Sequence, residues 1–346
     1  MATSDTPEQA NPTPTKSVPQ YAAEIPQRIL RTYSRLWQLE TWLRRLVYLE
    51  LHSFQGDNWS KLVHVSDVPL DMDKRLKHMP TPESDPLSYV EFSELRRIIR
   101  EHWPLFEPYL PPKKLWEAKL EEVEQIRHRV AHFRIGHEDD LARVIQLLRD
   151  IDNGFWRFCT SYNQSHSVLP QSDDPVVQHF LPLDPLPWRE VKDNQWARVG
   201  SIDQREYFGM TVEAICRLWA TWSVPVAGKE GLLYDVVLYV RGAHYLDCGT
   251  LLEQTQSLHK HLVYICLDPH ATDIRVTIPA ILGADRVIQI LENFIAISRS
   301  CICPGSWPSY KGTVQDLADA WPEYVLGSDN PLSYLAPDMP CSFFSV

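Results

Sequence analysis

No stretch of this 346-residue chain is apolar for long enough to cross a bilayer. The first residues also lack the apolar core of a secretory signal. Residues 1–20 are rich in Pro, Thr and Ser instead, and are expected to form a flexible tail. Three common catalytic signatures are absent: G-x-x-x-x-G-K-[ST], H-E-x-x-H and G-x-S-x-G. That leaves no sequence support for phosphate-loop, zinc-protease or serine-hydrolase chemistry. Cysteine is sparse, with seven residues scattered through apolar segments. An odd, scattered set fits buried free thiols in a reducing cytosol better than a disulfide framework. Cys301-Ile302-Cys303 has no partner pair nearby, and no metal site is assigned to it. These absences predict a cytoplasmic protein with no membrane contact.

What the chain does contain is enough apolar material for folded cores: 44% hydrophobic residues, including twelve tryptophans. Its length favours two domains. The formal net charge of -11 is unevenly spread. Residues 21–160 carry 21 basic and 22 acidic side chains, whereas residues 161–346 carry 12 basic and 21 acidic. An acidic protein is poorly suited to general nucleic-acid binding by counterion release. Any RNA contact is therefore expected to be local, on the basic residues of the first half.

Apolar residues recur at helical spacing through residues 24–54, with Ile29, Tyr33, Leu36, Trp37, Leu43, Leu46 and Val47 as the stripe. Residues 68–86 are polar and interrupted by Pro, and read as a long loop or irregular insertion. Helices are predicted over 88–102, closed by a run of prolines, over 113–133, ended by Gly136, and over 138–162. The last of these opens on Glu138, Asp139 and Asp140, which suit a positive helix terminus. Residues 163–187 change to Pro, Asp, Gln and Ser and read as a linker. Beyond it, a helix is predicted over 206–222, strands over 235–241, 261–267 and 273–278, and a helix over 283–298. The last two strands are expected to form a hairpin across Asp268-Pro269-His270. The predicted architecture is an α-helical bundle, residues 21–162, followed by a smaller α+β domain, residues 188–346.

The densest chemistry lies at Arg127-His128-Arg129-Val130-Ala131-His132. Arginine is a permanent cation suited to phosphate. Histidine takes or gives a proton near neutral pH. Together they can remove a ribose 2'-hydroxyl proton and stabilise a phosphorane without a bound ion. On a continuous helix Arg127 and His132 lie about 140° apart, while His128 and His132 share a face. The site is easier to build if the helix ends near Ala131, or if two copies of the chain meet. Glu40 interrupts the apolar stripe of the first helix, and a carboxylate there needs a partner. Arg127 is the partner expected, although an Arg-to-Glu contact between helices is usually structural. In the second half, His244, His259, His261 and His270 cluster near strand ends. Hydrogen-bonded histidines are the commoner reading of such a cluster than metal ligands. Asp285 reads as first-turn chemistry of a helix.

Arg127, His128 and His132 match R-x(4–6)-H with a polar residue after the arginine. The segment Ile126-Arg127-His128-Arg129-Val130-Ala131-His132 therefore resembles the higher eukaryotes and prokaryotes nucleotide-binding (HEPN) domain family. Trp116 and Leu39-Glu40-Thr41-Trp42-Leu43-Arg44 resemble one prokaryotic subgroup of that family. The resemblance covers roughly residues 24–160. It implies a helical domain that dimerises and places two motifs in one cleft. Active relatives are metal-independent endoribonucleases that leave a cyclic phosphate and a 5'-hydroxyl, and many act as toxins or antiphage effectors. By position, His132 takes the acid or base role, Arg127 the phosphate-binding role and His128 the supporting polar role. Glu40 is a further supporting residue, inferred from the stripe alone. The expectation is thus a homodimeric RNase needing no cofactor, acting on RNA, with a C-terminal region that meets a trigger or protein partner. A non-catalytic HEPN binding protein or adaptor is the alternative.

Overall fold

The computed structural model describes residues 26–64, 67–79, 85–162, 173–193, 195–203 and 205–327. The expected tail, residues 1–20, lies outside the described residues, as do residues 163–172 of the expected linker.

The chain opens with α1 (Gln27–Gln55), whose Leu36, Leu39, Leu43, Leu46 and Val47 are buried as the stripe predicts. Each such side chain taken out of water contributes roughly 1.5–3 kcal/mol. Next comes α2 (Asp67–Arg75), which corrects the expectation of an irregular insertion over 68–86. Its Pro69 sits in the first turn, where a missing N–H costs no helical bond. Lys74 and Arg75 face its negative end. Asp85 then caps a short 3-10 turn over Pro86–Tyr89, so α3 (Phe92–Glu101) starts four residues later than predicted. After the single turn α4 (Trp103–Phe106), α5 (Lys113–Ala131) and α6 (Asp140–Tyr162) complete the layer around α1. Gly154 lets α6 pass against Tyr109: a Cβ there would lie 1.7 Å from the Tyr109 carbonyl oxygen.

The expected linker is folded from Pro175 onward. Here α7 (Pro175–Phe180) buries Val176 and Phe180. Asp174 followed by Pro175 is an N-cap with Pro at the first helical position, a start signal that outweighs the Pro-rich composition. The Asp174 carboxylate accepts from the backbone of Val176 and from Val226 N–H and Tyr234 O–H, both at 2.8 Å.

A five-stranded sheet follows. The small hairpin β1 (Trp188–Lys192) and β2 (Gln195–Arg198) precedes β3 (Phe208–Cys216), β4 (Leu232–Val240), β5 (His244–Leu246), α8 (Cys248–His259), β6 (Tyr264–Leu267), β7 (Asp273–Pro279), α9 (Ala284–Ser300), β8 (Ile302–Pro304), α10 (Val314–Ala320) and β9 (Val325–Leu326). The sheet order is β3-β4-β7-β6-β9, antiparallel except for β6 with β9. The hairpin expected between β6 and β7 is present. The predicted helix over 206–222 is strand β3, paired along its whole length with β4. Gly209, Thr211, Val212 and Ile215 are poor helix formers, and burial on both faces hid the strand alternation. The helix α8 carried too weak a stripe to be predicted.

The two halves share a core. Tyr264, Cys266, Leu233 and Ile215 of the sheet pack in the same buried cluster as Leu39, Phe106 and Phe158. The opposite sheet face packs on α7, α8, α9 and α10. Arg217, just past β3, is fully buried against Glu50 of α1. The Tyr48 hydroxyl donates to the Leu262 carbonyl at 3.0 Å. The fold is thus a helical region followed by an α+β region, closed around one interface.

Candidate active site

The end of α5 is shaped by its last turn. His132 is the C-cap (φ -97°, ψ 21°) and Phe133 adopts φ 55°, the left-handed region. Phe133 N–H donates to Val130 O at 3.1 Å, and Arg134 N–H to Arg129 O at 2.9 Å. This is a Schellman ending, with phenylalanine where glycine is the rule. The Phe133 side chain is 97% exposed, so no packing compensates the strained backbone. The turn is pinned instead by the buried carboxylate of Asp140. It accepts from the Arg129 guanidinium and, at 2.8 Å, from His137 N–H. Gly136, at φ 73°, lies against that carboxylate.

The helix stops at Ala131, but His132 still donates its N–H to His128 O at 3.2 Å and so keeps its place on the helical row. His132 stands at the helix end, exposed, and its ring meets His128 edge-on with centroids 4.4 Å apart. Arg127, one residue from the buried Ile126, turns inward. Its Nε and Nη2 donate to the Glu40 carboxylate at 3.3 and 3.4 Å. The Glu40–Arg127 contact expected from the interrupted stripe is thus present, across 87 residues of sequence. Arg44 was missed as a second partner, although it stands one helical turn from Glu40. Its Nη2 donates to Glu40 at 2.6 Å, while its Nε and Nη2 hold Leu87 O and Val90 O at 2.8 and 3.2 Å.

Two guanidinium groups share one carboxylate, so the cluster keeps a net positive charge. Glu40 is nearly buried and Arg127 about one-third exposed, which leaves that charge reachable from solvent. Such a fixed, partly desolvated cation suits a phosphate oxygen. The bland alternative for His128 and Arg129 is that both merely face the negative end of α5.

The histidines of the second half do not assemble. His259 bonds Thr255 at 3.0 Å, and burial lowers its pKa to about 4. His261 lies between Asp57 and Arg286, and His244 bonds Arg241 O. Among the described residues no three His, Cys, Asp or Glu side chains converge to hold a metal. Cys301 is buried and Cys303 half-buried, both as free thiols. Asp285 sits in the first turn of α9. A buried histidine escaped the sequence reading: His52, enclosed by Tyr48 and Trp59, has its pKa lowered to about 3 by burial.

Residues 54–144 match the family model described as the SAV2148-like HEPN domain. The helical region therefore carries a HEPN domain, of a family associated with nucleotide binding and RNase activity. The matched span holds Arg127, His128 and His132 but begins after Glu40 and Arg44. No curated protein and no solved structure matches the chain.

Proposed function

We propose that the HEPN domain of this chain is a metal-independent endoribonuclease that cuts RNA by attack of a ribose 2'-hydroxyl. The observation that carries this reading is the division of labour at the end of α5. Arg127 is held as a solvent-reachable cation by Glu40, and His132 stands exposed beside His128 where the Phe133 turn ends the helix. In the proposed reaction His132 takes the 2'-hydroxyl proton and the 2'-oxygen attacks phosphorus. Arg127 stabilises the charge on the equatorial oxygens. The bond from phosphorus to the 5'-oxygen breaks, and that oxygen takes a proton from the His132 of a second copy. The products are a 2',3'-cyclic phosphate and a 5'-hydroxyl. His128 supports His132 through the ring contact, and Glu40 orients Arg127.

A second copy is part of the proposal because Arg127 and His132 of one chain lie about 140° apart around the helix, so a phosphate between two copies can meet the arginine of one and the histidine of the other. The exposed Phe133 and Ile135, directly after His132, give that side apolar surface to cover on dimerisation. A role as a toxin or antiphage effector follows from the family resemblance, with the sheet region as the place where a trigger or protein partner acts.

The test incubates wild type, His132→Ala and Arg127→Ala with total and transfer RNA in EDTA, followed by mapping of the product ends. Both variants are expected to lose cleavage by more than about a hundredfold while keeping the wild-type melting curve. Cleavage retained by His132→Ala would refute the assignment. The second reading, a HEPN domain that binds RNA without cutting it, is favoured by the engagement of Arg127 with a nearly buried carboxylate. It predicts intact RNA with the wild type and binding that is lost in Arg127→Ala.

A further inference from the structure

Trp37, Thr41, Arg45 and Tyr48 recur at steps of four, four and three residues, and so form one face of α1. This face lines a cavity of about 290 Å³ whose far wall comes from the sheet region, through Tyr264 and Glu323. Arg44 lines it as well. The cavity therefore begins one side chain from the candidate catalytic cation, since Arg44 and Arg127 share the Glu40 carboxylate.

The lining is chemically mixed. Arg45 makes no hydrogen bond or ion pair among the described residues, so its guanidinium is available for an anion. The Trp37 ring is 62% exposed, a flat surface open to stacking. Asp85 and Glu323 place two carboxylates at the same opening. Asp85 uses one oxygen to cap Leu87 N–H, and Glu323 accepts from Asp85 N–H. Tyr48 and Tyr264 stay neutral phenols, because burial raises both above the ordinary tyrosine range.

A ligand suited to Arg45 and Trp37 carries an anion and a flat ring. It must also be small, because the cavity stands at the lower end of ligand-site sizes. A base with its ribose and phosphate meets each requirement, and a base pair does not fit. An unpaired base offers its face to the Trp37 ring, and the phosphate falls to Arg45. We infer that the cavity takes one unpaired RNA base flanking the scissile phosphate, so that the sheet region takes part in selecting single-stranded substrate. This rests on the RNase reading for the word substrate, and the binding measurement below stands without it.

The test uses a fluorescein-labelled, fully 2'-O-methylated single-stranded oligonucleotide, which cannot be cut, and the duplex of the same sequence. Affinities are read by anisotropy with the full chain and its Arg45→Gln, Trp37→Leu and Arg45→Lys variants. Loss of one stacking or phosphate contact is expected to weaken single-strand binding by about tenfold in Arg45→Gln and in Trp37→Leu. Arg45→Lys is expected to recover part of that loss, and the duplex to bind no better than these variants do. Thermal melts of all variants establish that they are folded, as neither side chain belongs to the core. Unchanged affinity in both Arg45→Gln and Trp37→Leu would overturn the inference, as would equal affinity for duplex and single strand. With unmodified RNA, KM is expected to rise more than kcat falls in the cavity variants, whereas His132→Ala loses kcat with binding intact. A wild type that binds the single strand through Arg45 and Trp37 but leaves unmodified RNA whole would refute the nuclease and keep the binding site.

Discussion

Replacing Glu50 by Gln removes the carboxylate paired with the buried Arg217 guanidinium. Both side chains are 0% exposed. Arg217 donates to Glu50 from Nη2 at 2.5 Å and from Nε at 3.2 Å, and to the Tyr109 hydroxyl at 3.0 Å. Trp219 Nε1 adds a fourth bond, to Glu50 at 2.6 Å. Burial on its own would lower the Arg217 pKa, but the adjacent Glu50 reverses this and raises it, so the group stays charged. A buried cation left without its counter-charge costs about 3–5 kcal/mol. Domains have only about 5–15 kcal/mol of stability in total. The double variant Glu50→Leu/Arg217→Met removes both charges and leaves the Trp219 N–H without its Glu50 acceptor, at about 1–3 kcal/mol. It is therefore expected to be no less stable than Glu50→Gln, although it carries one more change. Urea unfolding followed by circular dichroism and by tryptophan fluorescence gives the free energies. The two probes should also coincide, because the pair ties α1 to the end of β3. A cost below about 1 kcal/mol for Glu50→Gln, or a double variant whose cost equals the sum of the singles, would refute the reasoning.

Two further outcomes follow from local features. His52 and His259 are held neutral by burial, at pKa values of about 3 and about 4. The unfolded chain binds protons at both below its ordinary value near 6.5 while the native state does not. Stability is thus full above pH 6.5 and is drained as pH falls toward the folded values, by about 2 kcal/mol per histidine at pH 5. A urea midpoint that stays constant between pH 7 and 5 would contradict this. Phe133→Gly relieves the left-handed strain and should stabilise the isolated chain by up to about 1 kcal/mol while weakening the proposed dimer; a lower melting temperature in dilute, monomeric protein would contradict this.

Long periodic elements were legible in the sequence because packing agrees with local pattern: α1, α5, α6 and α9 lie within a few residues of their predicted bounds. The strand β3 was not, since covering both faces of a strand erases the alternation that identifies it. The fold of residues 175–183 was masked by proline content, although Asp174-Pro175 is a helix start by itself. The contact between Glu40 and Arg127 was legible because a carboxylate in an apolar stripe must be paired. The same logic applies to Glu50, which follows Leu46 and Val47 on that helix, but its partner lies 167 residues away and no local spacing points to it. Arg44 was within reach of the i,i+4 rule and was overlooked because Arg127 already satisfied the argument. The cavity beside Trp37 was beyond sequence reasoning, since one wall of it, Tyr264, Pro322 and Glu323, lies more than 200 positions further on.

The common core between the helical layer and the sheet bears on how damage to this gene would read out. A stop codon or a proteolytic nick before β1 strips Ile215, Leu233, Tyr264 and Cys266 from the face they cover and leaves Glu50 without Arg217. Such truncated alleles should behave as losses of function, degraded rather than unleashed. Any release of the HEPN domain from restraint has to come from a shift inside an intact chain, and screens for unrestrained activity should look among substitutions and not among deletions.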